Sequence, residues 1–263
     1  TSVSPSIAPV ASSVTIAGDH LGTATGTITI NGTSSTVSAW SSSSITAVVP
    51  SGATATGTIL VTRIDDNATS NTATFTVRAT IISLSTSSAR VSDSVTISGD
   101  HFSNTAGTVT INGASASISS WNDATISALV PSGGTATGSV LITVNGTSSN
   151  AISFTILPTI SASTATTSRA QSSLTISGDH FGSATGSVTI NGATSSITSW
   201  SDTSLTVTVP LAGTATGSII ASSSDNRLSN SYSFTILPQI STTSPSSGVP
   251  GDTVPISGNH FGT

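Results

Sequence analysis

The strongest constraint on the fold is a repeat marked by a five-residue phrase that contains every histidine of the 263-residue chain. The phrase reads GDHLG, GDHFS, GDHFG and GNHFG, and it begins at Gly18, Gly99, Gly178 and Gly258. Successive copies are therefore 81, 79 and 80 residues apart. A fixed period of this length indicates a tandem array of similar domains.

Other landmarks keep the same spacing within each copy. A tryptophan follows each of the first three glycines by 22 residues, and a proline follows each tryptophan by 10 residues. Only the segment after the proline varies in length, as expected of a surface loop. The pattern predicts domains at residues 1–78, 79–157 and 158–237, and a partial fourth repeat at 238–263.

Each repeat shows the alternation of apolar and polar residues that is typical of half-buried strands, as in SVTIS, TVTIN and SLTVTV. Repeat 2 contains seven such segments, and Asn-Gly pairs between them indicate hairpins. No segment has a helical apolar stripe. The predicted fold class is all-β, with tandem immunoglobulin-like β-sandwiches in an elongated array.

The alternation also predicts the core of repeat 2, with Trp121 as its largest buried side chain. The other predicted core residues are Val95, Ile97, Val109, Ile111, Ile126, Ile142 and Phe154.

These segments resemble the IPT/TIG domain, an immunoglobulin-like domain. The resemblance lies in DSVTISGDHF at 93–102, VTING at 109–113, WNDATISALVPSG at 121–133 and SNAISFTIL at 149–157. GVPGDTVPISGNHFG at 248–262 repeats the opening strands. DNA-binding members of the family use basic loops, which this chain lacks. Prokaryotic members serve as spacers or binding modules in large secreted and surface proteins, and the resemblance implies a role of this kind.

The composition of the chain restricts the classes of partner that it can be expected to bind. Ser and Thr occupy 105 positions, and the net charge of −5 comes from ten Asp and five Arg, without Glu or Lys. Five scattered Arg cannot neutralise several phosphates on one face, which argues against nucleic acid and anionic membranes as partners. No apolar run is long enough for a spanning helix. The hydroxyl-rich surface favours an extracellular or cell-surface location.

The histidine phrase has two interpretations. As a metal site it would use Asp100 or Asp179, with a second carboxylate from Asp123 or Asp202. Adjacent residues of an extended strand point to opposite faces, which argues against an Asp-His ligand pair. The favoured interpretation is a structural turn in which the glycine permits a tight bend, the Asp caps the turn, and Leu21, Phe102 or Phe181 enters the core.

Catalysis is not expected. Ser, His and Asp are all present, but a nucleophile elbow is missing and the pair Asp65-Asp66 occurs in repeat 1 alone. The chain is predicted to be non-enzymatic, with no cofactor. Candidate glycosylation sites are Asn67 and Asn145, each in an Asn-X-Thr sequon, whereas the Asn31 sequon belongs to a predicted hairpin.

Two functional classes remain. The first is a structural element of an extracellular fibre, filament or stalk, because the junctions between repeats are constant in length and some contain proline, at Pro158 and Pro238. Its partners would be neighbouring repeats or further copies, for example by strand addition from residues 239–263. The alternative is an adhesin or carbohydrate-binding module with surface glycans as ligands.

Overall fold

The computed structural model describes residues 2–261, and all of their regular elements are β-strands. The expectation of an all-β chain is confirmed. The described residues form no helix, so none of them builds a helix that could cross a membrane. The chain forms two compact units. The first unit contains the described chain up to Ser87, residues 94–131 and residues 138–154. The second unit contains residues 88–93, residues 132–137 and the chain from Thr155 onward.

The first domain is a two-sheet sandwich. Its strands are β1 Ser2–Ser4, β2 Ile7–Ala8, β3 Ser13–Ala17, β4 Thr27–Ile30, β5 Thr33–Ser34, β6 Thr36–Trp40, β7 Ser44–Val48, β8 Thr56–Thr62 and β9 Ala73–Val77. One sheet has the order β1-β3-β7-β6 and the other β2-β9-β8-β4-β5. All pairs are antiparallel except β2 with β9, which is parallel.

The second domain repeats this topology. Its strands are β10 Thr80–Leu84, β11 Ser88–Ala89, β12 Ser94–Asp100, β13 Thr108–Ile111, β14 Ala114–Ser115, β15 Ser117–Trp121, β16 Thr125–Leu129, β17 Thr137–Val144, β18 Thr147–Ser148 and β19 Ile152–Ile156. The sheets have the orders β10-β12-β16-β15 and β11-β19-β17-β13-β14, with β18 paired to β17. All seven predicted segments are strands, and β11, β14 and β18 are short additions.

The third domain has the same two sheets. Its strands are β20 Thr159–Ser163, β21 Thr167–Arg169, β22 Ser173–Asp179, β23 Ser187–Ile190, β24 Ala193–Thr194, β25 Ser196–Trp200, β26 Ser204–Thr208, β27 Thr216–Ser222 and β28 Tyr232–Leu237. Their orders are β20-β22-β26-β25 and β21-β28-β27-β23-β24.

Alternation along the strands places the core between the sheets. Val95 and Ile97 of β12 are fully buried, whereas Thr96 between them is half-buried. All of the aliphatic residues predicted for the core of repeat 2 are buried, and so is Phe154. The prediction for Trp121 is wrong: its side chain is only partly buried, and the largest fully buried side chains are phenylalanines such as Phe102.

The residues after the third domain form a hairpin of β29 Gln239–Thr243 and β30 Ile256–Asn259. These strands pair with each other, and Ile240 lies opposite Gly258 as Ile81 lies opposite Gly99 in the second domain. Ile81 is 2% exposed and Ile240 is 60% exposed. The hairpin thus reproduces the opening strands of a domain without its core. Strand addition between copies stays a prediction.

Candidate functional site

The five-residue phrases, here named the histidine loops, bend at the histidine. His20, His101, His180 and His260 have φ between 57° and 61°, the left-handed region that few side chains other than Asn, Asp and His adopt. The first glycines of the phrases, Gly18, Gly99, Gly178 and Gly258, are not among the residues with positive φ. The expectation that the glycine supplies the bend is therefore wrong.

The glycine of the loop is required by close packing. A Cβ on Gly99 would overlap the carbonyl oxygen of Thr80 on the neighbouring strand β10 and the ring of Phe102. Phe102 and its counterpart Phe181 are fully buried, and Leu21 is 4% exposed. The prediction that this position enters the core is confirmed.

The left-handed histidine brings its ring back to the preceding aspartate. His101 Nδ1 lies 3.2 Å from Asp100 Oδ1, and His180 Nδ1 lies 3.1 Å from Asp179 Oδ1. The expectation that Asp and His point to opposite faces is wrong, because it assumed extended backbone. The Asp100 carboxylate also accepts the backbone N–H of His101 at 3.1 Å, as expected of a turn cap.

The other ring nitrogen of His101 reaches the first domain. Its Nε2 lies 2.7 Å from the carbonyl oxygen of Ala53. Ala53 belongs to the tail loop, residues 51–55, which follows β7. Both residues lie in the first compact unit, and His101 is 6% exposed. The histidine loop of the second domain therefore docks on the tail loop of the first, and we name this contact the joint.

The asparagine side chain of an Asn-Gly turn hydrogen-bonds to the backbone of the tail loop. Asn31 Nδ2 donates to the carbonyl oxygen of Thr54 at 2.7 Å, and Asn31 is 6% exposed. In the third domain, Asn191 Nδ2 donates to Thr214 at 2.9 Å. The Asn-Gly pairs correctly predicted the hairpins, but they did not predict the hydrogen bond from the asparagine to the tail loop. The sequence TATG follows the proline of each repeat, and its glycine packs on the asparagine. This repeated TATG could have indicated the contact.

The first domain shows the histidine loop undocked. His20 is exposed, and no part of the described chain docks on it as the tail loop does on His101. Beside it is a cavity of about 360 Å³, lined by polar groups that include Asp19, His20, Arg63 and Asn71. In the second compact unit, the loop after β26 corresponds to the tail loop, and its residues Leu211, Gly213, Thr214 and Ala215 line a common cavity with His260. His101, on which a tail loop docks, is therefore buried, whereas His20, on which none docks, is exposed.

The second carboxylates proposed as metal ligands act as caps. Asp123 Oδ1 accepts the backbone N–H of Ser103 at 2.7 Å, and Asp202 Oδ1 accepts that of Gly182 at 2.8 Å. Asp100 and Asp123 line one cavity with His101. Within residues 2–261, no three His, Asp, Glu or Cys side chains are grouped so that they could hold a metal ion.

The tryptophan side chains donate hydrogen bonds to the backbone of the histidine loops. Trp121 Nε1 donates to the carbonyl oxygens of Phe102 and Ser103, at 3.1 and 2.8 Å. Trp200 Nε1 donates to Gly182 at 2.8 Å, and its ring meets Phe181 edge-on. This explains why each tryptophan follows the phrase at a constant distance although it is not a central core residue.

An arginine supplements the contacts of the second compact unit. Arg227 Nη1 donates to the carbonyl oxygen of Ile156, the last residue of β19, at 3.0 Å. Its Nε donates to Asp225 Oδ2 at 2.7 Å. The hydrogen bond from Arg227, followed by that from Ser223, lowers the pKa of Asp225. In the first domain, Arg63 pairs with Asp66 and donates to the carbonyl oxygen of His20.

Both candidate glycosylation sites lie on exposed turns. Asn67 and Asn145 have φ of 56° and 49° and are solvent-accessible. Asn145 stands between β17 and β18, whose residues Val144 and Thr147 pair across the turn. Accessibility is necessary for attachment of a glycan, and glycosylation stays a prediction.

Comparison with solved structures identifies proteins of low similarity. A protein crystallised with a xylogluco-oligosaccharide is 18% identical, with 89% of this chain and 59% of that chain covered and a TM-score of 0.35. A surface glycan-binding protein of Prevotella bryantii is 18% identical over 56% of this chain and 36% of that chain, with a TM-score of 0.33. The plexin A4 extracellular region is 12% identical over 91% of this chain and 29% of that chain, with a TM-score of 0.28.

The chain thus spans less than two thirds of the length of these three proteins. No curated protein matches the sequence significantly. The model of the IPT/TIG domain matches residues 1–77, 79–156 and 158–236, each of which contains a histidine loop and a tail loop. The chain belongs to the IPT/TIG family, as three tandem domains.

Proposed function

We propose that the chain is a non-enzymatic spacer of a secreted or cell-surface protein, in which a docked joint fixes the second domain against the first. The observation that carries this proposal is the contact between His101 Nε2 and the carbonyl oxygen of Ala53. Undocking would break this hydrogen bond between the two domains and expose the imidazole to water, so the contact is expected to restrict the motion of one domain against the other.

The surface chemistry supports an extracellular setting. The exposed positions are rich in Ser and Thr, and the chain carries no Lys or Glu. The hydroxyl groups of such a surface are hydrated by water, and its five Arg are few for binding the phosphates of nucleic acid. A fixed joint and a hydroxyl-rich surface with few charged side chains suit a module that holds other parts of a protein at a distance.

Distance measurement between introduced spin labels tests the proposal. The chain has no cysteine, so Ser38→Cys and Ser119→Cys, at exposed positions of β6 and β15, can be labelled uniquely. We expect one narrow distance distribution, which His101→Ala broadens. His20→Ala is the matched control, because His20 is exposed, and should have no effect. A broad distribution in the unmodified joint would refute the spacer proposal.

Glycan binding is the second candidate. The cavity beside His20 combines a carboxylate, an imidazole, a guanidinium and an amide, groups that hydrogen-bond to sugar hydroxyls. Its lining residues include no Phe, Tyr or Trp ring on which a sugar could stack. Binding of the full chain to a glycan array, abolished by Asp19→Ala, would support this candidate over the spacer. Absence of binding would leave the spacer proposal as the better account.

A further inference from the structure

We propose that the hairpin of β29 and β30 in one chain replaces the opening strands β1 and β3 in the first domain of a second copy, so that chains assemble head to tail. This inference goes beyond the spacer function, and either proposal can fail alone. It joins two features of the described chain, the exposed apolar face of the hairpin and the undocked histidine loop of the first domain.

The hairpin and the opening strands of the first domain have the same register. Val3 of β1 lies opposite Ile16 of β3, and Thr243 of β29 lies opposite Ile256 of β30. Ile16 and Ile256 both stand two residues before the glycine that begins a histidine loop. The hairpin can therefore occupy the place of β1 and β3 without a shift of register.

The inward side chains of the hairpin are apolar but have no core around them. In the first domain, Ile16 and Leu21 are 0% and 4% exposed. Ile256 and Phe261, at the same positions of the hairpin, are 56% and 54% exposed. Neighbouring exposed apolar side chains of this kind mark an interaction surface. The first domain shows what covers these positions, because its remaining strands bury Ile16 and Leu21.

The backbone of β30 also offers an open edge. Within the described chain, β30 pairs only with β29. In the first domain, the corresponding edge of β3 is paired with β7, and the N–H of Gly18 donates to the carbonyl oxygen of Ser43 at 3.1 Å. The second and third domains repeat this hydrogen bond, and Gly258 holds the same position in the hairpin. An open edge is a template for pairing with another strand.

Pro255 does not obstruct this pairing although it has no N–H. Its counterpart in the second domain is Thr96, whose N–H receives a side-chain partner, Ser85 Oγ, from the segment after the opening strand. The N–H that Pro255 lacks would thus face β29 and not the open edge. Proline is tolerated in a strand at such a position.

The first domain is the expected receiver, because its histidine loop is not held by a joint. In the second domain, the histidine loop that follows β12 is attached to the tail loop through His101 and Ala53. No part of the described chain docks in this way on His20. Removal of β1 and β3 from the first domain therefore breaks no such attachment.

The exchange also builds a joint between the two copies. In one chain, His260 lines a cavity with Thr214 and Ala215 of the loop after β26. In the assembled pair, His260 takes the place of the second copy's His20 and brings this loop to the first domain, as the tail loop is brought to His101. Exchange of an equivalent element remakes the contacts that it breaks, and a head-to-tail contact gives a ring or a filament.

A disulfide between copies tests the exchange. Ser44 of β7 lies opposite Ala17 of β3, whose counterpart in the hairpin is Ser257. Because Gly18 and Ser43 share a hydrogen bond, the adjacent pair is a non-hydrogen-bonded one, with Cα atoms about 4.5 Å apart, within reach of a disulfide. The chain has no cysteine. We expect the double variant Ser44→Cys, Ser257→Cys, refolded from urea at high concentration and oxidised, to give a ladder of linked copies on a non-reducing gel.

The matched control moves one cysteine to the second domain. Thr125 lies opposite Ser98 in β12, as Ser44 lies opposite Ala17 in β3. The double variant Thr125→Cys, Ser257→Cys should form no ladder, because the second domain keeps its own opening strands.

A charge in the hairpin tests the apolar contact. Ile256→Asp, added to the Ser44→Cys, Ser257→Cys chain, should lower the linked fraction at least about tenfold, because it would bury an unpaired charge at the position of Ile16. Ile256 is exposed in the single chain, so the variant should still fold. Thr253→Asp makes the same change at the counterpart of the exposed Ser13 and should leave the ladder unchanged.

The outcomes separate the two proposals. Chains that stay monomeric, a ladder that is equal in the Thr125→Cys control, or a ladder that persists with Ile256→Asp overturns strand exchange. Dimers of Ser257→Cys alone would show that two hairpins pair with each other, and would overturn it too. All of these results leave the spacer proposal intact. A broad distance distribution between labels at positions 38 and 119 overturns the spacer proposal without affecting the ladder.

Discussion

A Cβ added to Gly99 would lie 2.8 Å from Cε1 of Phe102, three residues further along the chain. Gly178 and Phe181 have the same relationship, at 2.9 Å from Cε2. The phenylalanine ring covers the glycine, and the glycine allows β10 to pair closely with β12, and β20 with β22. The sequence repeats Gly and the aromatic residue together because neither can be replaced without moving the other.

Gly99→Ala should therefore destabilise the second domain by at least about 1–3 kcal/mol, the usual cost of overpacking a core. The carbonyl of Thr80 is backbone and cannot move aside as a flexible side chain could. Gly52→Ala is the matched control, because a Cβ there would have only ordinary contacts with Thr33. Urea unfolding of the two variants measures the difference, and equal midpoints would contradict the packing argument.

Sequence reasoning recovered the fold more completely than the joint. Alternation is a local signal, so the strands and the burial of Val95 and Ile97 could be predicted from periodicity. The contact of His101 with Ala53 joins residues 48 positions apart in different domains, and no local pattern reports such a contact. The backbone conformation of His101 was also hidden, because glycine is the usual left-handed residue and Gly99 stands two positions before it.

Asn31→Asp should destabilise the first domain by about 1–3 kcal/mol, because it removes the Nδ2 donor and leaves the Thr54 carbonyl oxygen without this hydrogen bond. Aspartate tolerates the left-handed backbone, so the turn itself can be kept. Asn145→Asp makes the same change in an exposed Asn-Gly turn and should be nearly neutral. Thermal unfolding of both variants compares them directly, and a neutral Asn31→Asp would show that the amide does not hold the tail loop.

Asp123→Ala should cost about 0.5–2 kcal/mol, the usual cost of losing a side-chain cap of backbone N–H groups. Asp123→Asn keeps the Oδ1 acceptor for Ser103 and should retain most of the stability.

A metal ligand would behave differently, because an amide binds cations much more weakly than a carboxylate. Addition of a chelator is expected to leave the unfolding temperature of the parent chain unchanged. A fall in that temperature, reversed by a divalent cation, would revive the metal interpretation of Asp100 and Asp123.

The Asp225–Arg227 pair should make the third domain sensitive to acid. Hydrogen bonds from Arg227 and Ser223 lower the pKa of Asp225 below 3.8 in the folded chain. A lowered folded pKa means that the stabilisation is fully present above the unfolded value and is lost as the pH falls through the folded one.

Asp225→Asn should therefore be less stable than the parent chain at about pH 6, and the difference should shrink as the pH falls below about 4. Because Asp225 is half exposed, the difference is expected to be small and to weaken with added salt. Ser224→Ala, at the neighbouring exposed position, should show no such dependence. Unfolding midpoints of the three chains across this range measure the effect. A difference that stays constant down to about pH 2 would show that the carboxylate charge of Asp225 does not contribute to holding Arg227 against Ile156.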